Sequence, residues 1–337
     1  MSLTSDPFDR ACGALTGLAL GDALGMPSQT LACEEIKKHY GIIQDFVAPF
    51  DDHPVSHGLL AGQITDDTEQ SFLLAQRLID GNGHIDEILW AKDLIAWEAD
   101  VRARGLRDLL GPSSKAALDA LLSGMPAAEA GRNGTTNGAS MRISPVGIST
   151  PAEPMERLLD RVERACRMTH NTGEAIAAAA SVAMVISLGI DGYEFEACVE
   201  PALKAAAAGQ TRGYPLGEPN IALRISEALQ LADQNVSVEE FAAKIGTSVA
   251  SRDSIPAAFG VVKLAQGDPW KAALIAANIG DDTDTIGAIS CSMAGACNGM
   301  SGFPNDKVAT LRTANDLPVE TIATALLALR NDHFPST

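Results

Sequence analysis

The sequence predicts an all-α fold. Apolar residues recur at i, i+3, i+4 along one segment after another, and no alternating strand bounded by turn residues stands beside them. Only 4% of the 337 residues are aromatic, so Ala, Leu, Ile and Met must fill the interior, and Ala-rich helices pack closely. The helical pattern covers 71–78, which follows an acidic start, and 85–99, set off by Gly81-Asn82-Gly83. It covers 113–122, stopped by Gly124-Met125-Pro126, then 155–167, then 174–188, stopped by Gly189. The pattern continues through 220–231, 238–245 and 257–264. Gly267-Asp268-Pro269 separates these from 272–277, and 286–296 and 319–329 follow.

The run between Glu174 and Asp191 is uncharged and rich in Ala, which contributes little to membrane insertion, so a buried helix is expected there. No Pro/Ser/Gly linker and no repeat of 20–50 residues divides the chain. We read 9–330 as one compact multi-helix domain, 1–8 as a disordered or vector-derived start, and 331–337 as a tail. Two long irregular stretches, 41–64 and 131–147, are where function is expected in a helical globule.

A formal charge of −18 and a pI near 4.6 exclude a non-specific grip on nucleic acid and disfavour an anionic membrane surface. No secretory signal opens the chain, and the six cysteines show no CxxC or zinc-ligand spacing. Both point to a reduced, cytoplasmic protein with cysteines as small core fillers.

Two acidic clusters carry the chemistry. Thr65, Asp66 and Asp67 in ITDDTEQS stand immediately before a helix, where Asp66 as N-cap and Glu69 as its capping-box partner would account for the pattern. IGDDTDTIG then places Asp281, Asp282 and Asp284 with Thr283 and Thr285 at the head of another helix. Three carboxylates in four residues exceed the needs of one cap and would repel one another. Carboxylates with Thr hydroxyls form an all-oxygen set suited to Mg²⁺, Mn²⁺ or Ca²⁺. The residues alone leave two readings open, a dinuclear metal site built from both clusters or two elaborate caps.

Other motifs are weaker. His53 and His57 in HPVSH read as a solvated loop, and His39, His84 and His333 as surface. The glycines 131–138 lack GxGxxG spacing and follow no strand, and neither a GxSxG elbow nor a P-loop occurs. An isoprenoid synthase needs DDxxD, whereas Asp66-Asp67 continues as Thr68-Glu69-Gln70.

Five motifs in order resemble the ADP-ribosylglycohydrolase family, the dinitrogenase reductase-activating glycohydrolase-like group. They are GALTGLALGDALGMPSQ (13–29), ITDDTEQS (64–71), TNGASMRISPVG (136–147), MTHNTGEA (168–175) and IGDDTDTIGAISCSMAGACNG (279–299). The resemblance spans about residues 9–329. It implies a single compact all-α orthogonal multi-helix bundle around two Mg²⁺ (Mn²⁺ an alternative), held by Thr65, Asp66, Asp67, Asp282, Asp284 and Thr285. The implied activity is hydrolysis of the bond joining ADP-ribose to a protein side chain or a small ADP-ribose or nucleoside conjugate, with Asp66 or Asp67 as the base. Gln29, Asn137, Gly138, Ser140, Met141 and His170 are the implied substrate contacts. Arg142 is either part of that cradle or a buried structural pair, and Asp22 matches a family-wide residue.

Three departures from the family pattern matter. Gln29 stands where the first motif usually reaches a Glu, Asp281 replaces a usual Gly, and Asp108 is out of register with an aspartate of some bacterial members. Gln keeps hydrogen bonding but loses the base. A second reading follows, a catalytically weak relative that binds ADP-ribose or a nucleoside.

Overall fold

Helix formation starts earlier than periodicity suggested. In the computed structural model, which describes residues 6–331 apart from 107–110, 218 and 235 and the side chains of 127 and 128, Asp6 caps α1 (Pro7–Gly25) by accepting from the Phe8 amide at 3.0 Å. Residues 7 and 8 thus belong to the first helix; 1–5, 332–337 and Asp108 lie outside the described residues. α2 (Cys33–Tyr40) precedes a loop without helix that runs to α3 (Asp66–Asp80), α4 (Glu87–Ala103) and α5 (Pro112–Leu122). Short α6 (Ala127–Ala130), α7 (Gly138–Met141) and α8 (Ser144–Ser149) lead to α9 (Met155–His170), α10 (Gly173–Ile190) and α11 (Phe195–Gly209). Then follow α12 (Ile221–Ala232), α13 (Val238–Ile245), α14 (Ser251–Leu264), α15 (Pro269–Ile279), α16 (Thr283–Asn298), α17 (Asn305–Ala314) and α18 (Val319–Asn331). Among the described residues there is no strand, only three isolated bridges.

The expected long loop at 41–64 is present, but 131–147 is not one loop. It contains α7 and α8, the latter opened by Pro145, whose fixed φ suits a first helical turn. Two breakers are overridden by packing. Pro256 lies inside α14, and the Arg252 carbonyl four residues earlier is taken up by Arg224 Nε at 3.3 Å. Gly189 lies inside α10 because a Cβ there would meet Ala296 at 2.8 Å. α10 is long and apolar enough to cross a membrane, yet 94% of it is buried in the interior.

α1 and α16 lie antiparallel along a seam of glycines. A Cβ on Gly13 would meet Gly295 O at 2.5 Å, on Gly17 Cys291 O at 2.2 Å, on Gly21 Gly287 O at 2.1 Å, and on Gly25 Thr283 O at 2.5 Å. Only bare backbone allows this approach. The register carries the C-terminal end of α1 onto the N-terminal start of α16, which fixes where the second acidic cluster lies. Gly21→Ala is therefore expected to lower stability by at least about 1–3 kcal/mol through overpacking. Gly111→Ala, at the N-cap of α5 with φ −58° and no described atom within 4 Å of the added Cβ, should cost only the cap preference, about 1 kcal/mol or less, in the same thermal denaturation series.

Candidate active site

Asp22, fully buried near the end of α1, organises the first cluster. Its carboxylate accepts from the Thr65 amide (2.9 Å), Thr65 Oγ1 (2.7 Å), the Thr68 amide (3.2 Å) and Thr68 Oγ1 (2.5 Å). This replaces ordinary capping. Thr65 is the N-cap of α3 and makes no side-chain cap bond, while Glu69 is drawn away to Trp97 Nε1 and the Arg104 guanidinium. At α16 the N-cap is Asp282, again without a side-chain cap bond. The carboxylates stand at two positive helix ends, yet neither N-cap side chain caps its helix.

The second cluster is held from two sides. The Asn137 amide donates to Asp282 Oδ2 at 2.5 Å and to Ser254 Oγ at 3.0 Å. Thr283 Oγ1 donates to Gly25 O at 2.9 Å, which pins the end of α1 to the start of α16, and Ser28 Oγ, which donates to Ala277 O at 2.7 Å, lies 3.1 Å from Thr283 Oγ1.

The structure brings the two clusters, roughly 200 residues apart in sequence, within each other's field. Burial pushes Asp66, Asp67 and Asp284 well above the ordinary carboxylate range, and neighbouring carboxylates push further. Asp22 and Asp282 act on Asp66, Asp284 and Asp22 act on Asp67, and Asp282 and Asp22 act on Asp284. Burial also raises Asp282 to about 7 and Asp22 to about 6, opposed by the hydrogen bond from Asn137 and by those from Thr65 and Thr68. Among the described residues, no three His, Cys, Asp or Glu side chains form a finished cage around one point. The donor set nevertheless fits a hard cation. Asp67 Oδ1 is buried with no hydrogen-bond partner among the described residues, and every ligand candidate offers oxygen.

The expected substrate contacts fall into different places. Asn137 has its amide hydrogens committed to Asp282 and Ser254, so it serves the second cluster rather than standing free. Met141 is a core side chain at 4% exposure. Gly138 lies against His170, where a Cβ would meet the imidazole at 3.0 Å, and Ser140 Oγ is buried without a partner among the described residues. His170 is fully buried, with Nδ1 on Thr169 Oγ1 (2.7 Å) and Nε2 on Thr136 Oγ1 (3.0 Å), so it reaches a ligand only through other residues. Burial and the nearby Arg142 hold it neutral, well below the usual range. Arg142 is itself fully buried under the Trp90 ring and donates to Gln70 Oε1 and Thr169 Oγ1, both at 2.6 Å. Gln70 Nε2 in turn lies 3.4 Å from Asp66 Oδ2.

Comparison with known proteins decides the lineage. The ADP-ribosylglycohydrolase profile matches residues 3–335, nearly the whole chain. The chain belongs to the ADP-ribosylglycohydrolase family. An uncharacterized Escherichia coli K12 protein, YegU, is 36% identical over 326 residues, covering 96% of this chain and 97% of its own. The ADP-ribosyl-[dinitrogen reductase] glycohydrolase of Rhodospirillum rubrum is 28% identical over 333 residues, covering 95% and 96%. A solved structure titled ADP-ribosylglycohydrolase-related protein complex superposes with a TM-score of 0.70 at 24% identity, covering 96% of this chain and 99% of its own, which supports the shared fold.

In this member of a family of hydrolases, the departures acquire physical reasons. Asp281 has φ +62°, the left-handed backbone that a glycine adopts without strain. It is bridged to the Gln29 end of the first motif, with Thr30 N donating to Asp281 O at 2.6 Å. The Gln29 amide donates to Ser56 Oγ at 2.9 Å, and Ser56 Oγ donates to Met26 O at 2.8 Å. Because the Ser56 hydrogen is spent on Met26, Ser56 offers an acceptor that an amide complements and a carboxylate does not. His53, expected in solvent, is buried at 2%. Its Nδ1 accepts from the Val55 and Ser56 amides at 3.2 and 2.8 Å, which shapes the turn presenting Ser56, and burial lowers it to about 4. Sequence reasoning missed Gln70, Thr136, Thr169, Ser56 and Ser254. These polar residues on buried or, for Thr136, half-buried positions carry no spacing signature.

Proposed function

We propose that the chain is a divalent-metal-dependent hydrolase of the glycosidic bond in ADP-ribosylated proteins or in a smaller ADP-ribose or nucleoside conjugate. The observation that carries this reading is the joining of two uncapped acid clusters into one buried, mutually repelling group. Thr65, Asp66, Asp67, Asp282, Asp284 and Thr285 would hold two Mg²⁺, with Mn²⁺ an alternative. Such ions supply a template for the ribose hydroxyls and a bound water of lowered pKa. Asp66, at 9% exposure against 1% for Asp67, is the more accessible carboxylate and takes the proton from water. Gln70 steadies one Asp66 oxygen, and Asp22 and Asn137 orient Thr65 and Asp282.

A second reading, a weakly active relative that binds ADP-ribose, is favoured by one feature, the Gln29 amide fitted to Ser56. A hydrolysis panel separates them. ADP-ribosyl-arginine, ADP-ribosyl-serine, O-acetyl-ADP-ribose and simple nucleosides are offered with Mg²⁺ to wild type and Gln29→Glu. Release of ADP-ribose or ribose by wild type, abolished by EDTA, is the expected result. Turnover appearing only in Gln29→Glu would favour the silent binder.

A further inference from the structure

A cavity of about 320 Å³ lies between α2, the 41–44 loop, α13 and α15, and none of the proposed metal ligands lines it. Its volume falls at the lower end of the roughly 300–1,000 Å³ usual for small-ligand sites. The lining is mostly apolar. Ile36 and Ile43 are buried, Val238, Leu274 and Ile275 are half-buried, and Ile42 is 67% exposed. An exposed isoleucine alone is ordinary, but this one continues an apolar cavity.

The charges lining the cavity do not cancel. Lys37 of α2 and Glu239 of α13 are paired, Nζ to Oε1 at 3.0 Å, so each offsets the other. Lys271 of α15 also lines the cavity and forms no ion pair among the described residues. In a chain with a net charge of −18, an apolar cavity with a net positive lining is set apart from the rest of the surface. One free ammonium balances one negative charge, and its three donors suit the two oxygens of a carboxylate. A phosphate dianion would leave a charge unbalanced over apolar walls, and a cation would meet Lys271 as a like charge.

The walls are fixed in advance. Asn278 clamps the 41–44 loop in both directions, its Oδ1 accepting from the Ile43 amide and its Nδ2 donating to Ile43 O, both at 2.9 Å. Cys33 Sγ, also at the cavity, donates to Ile279 O at 3.0 Å. A wall already held in this way leaves little ordering to accompany binding.

We propose that this cavity binds a small monocarboxylate with an apolar body, its carboxylate on Lys271 and its alkyl or aryl part on Ile36, Ile43, Val238 and Leu274.

Octanoate, 1-octanol and octylamine, matched in chain length, are the probes, and calorimetry on the full chain is the measurement. Octanoate should bind at one site, at least about fivefold more tightly than octanol, with octylamine weakest. Lys271 is exposed in the first turn of α15, where an acidic residue suits the helix. Lys271→Glu should therefore keep the melting temperature near wild type while reversing the order of octanoate and octylamine. Val238→Trp, which fills the cavity, should remove octanoate binding. Cys33 locates the site. It is half-buried while the other five cysteines are buried, so N-ethylmaleimide should label it first. Octanoate should slow that labelling in wild type and not in Lys271→Glu. Octylamine binding as tightly as octanoate, octanoate binding that leaves Cys33 labelling unchanged, or no octanoate binding at millimolar concentration would each overturn the assignment.

Discussion

The double replacement Asp66→Asn/Asp67→Asn is expected to lower turnover by at least about 10³-fold, because a general base alone contributes roughly 10²–10⁴-fold and ligand loss adds to this. The same variant should be more stable than wild type when no metal is present. Asp66 and Asp67 are buried among carboxylates that raise one another, so neutral amides of the same shape remove a repulsion that destabilises the folded chain. Activity lost together with stability gained in EDTA is the signature of residues placed for chemistry. Rates of ADP-ribose release at saturating Mg²⁺, with thermal melts in EDTA, check both halves. A wild-type-like rate would reject the first cluster as catalytic.

Millimolar Mg²⁺ or Mn²⁺ is expected to raise the melting temperature by several degrees, and EDTA to lower it, since an ion that binds only the folded chain stabilises it by mass action. The pH dependence in EDTA has a definite sign. Asp282 is raised to about 7 and Asp22 to about 6, and Asp66, Asp67 and Asp284 lie well above their unfolded values. The folded chain therefore holds protons that the unfolded chain has released, and stability falls as pH rises through the folded pKa values. His170 and His53, both lowered, act in the opposite direction only at and below about their ordinary value of 6.5, so the window from pH 7 to 8 reports the carboxylates. The melting temperature in EDTA should drop across that window, and Mg²⁺ should flatten the slope. A flat profile in EDTA, or no shift at millimolar metal, contradicts the metal reading.

Most of the fold was legible because periodicity marks helices that bury one face. The segment 238–245 matches α13 residue for residue, and 319–329 lies within α18. α1 was invisible for a physical reason. Residues 10–25 are all buried, so no polar face alternates with an apolar one, and glycine at every fourth position lowers helix propensity by about 1 kcal/mol each. What the glycines lose in propensity they return as backbone contact with α16.

The acid clusters were legible as candidates. That Thr65 and Thr68 are held by Asp22 rather than spent on a cap was not, because that contact is made across the fold. His53 shows the same limit. A histidine in a polar stretch reads as solvated until the backbone amides that hold it are seen.

The central claim is that α3 and α16 supply one shared cation site, and Mn²⁺ binding followed by electron paramagnetic resonance tests it most directly. Wild type should bind two ions per chain, and Asp67→Asn or Asp284→Asn should each weaken binding at both positions, because Asp67 and Asp284 already act on each other across the two clusters and each ion would feel both. If Asp284→Asn left the affinity of the first cluster unchanged, or if wild type bound no Mn²⁺ at millimolar concentration, the shared site would be contradicted.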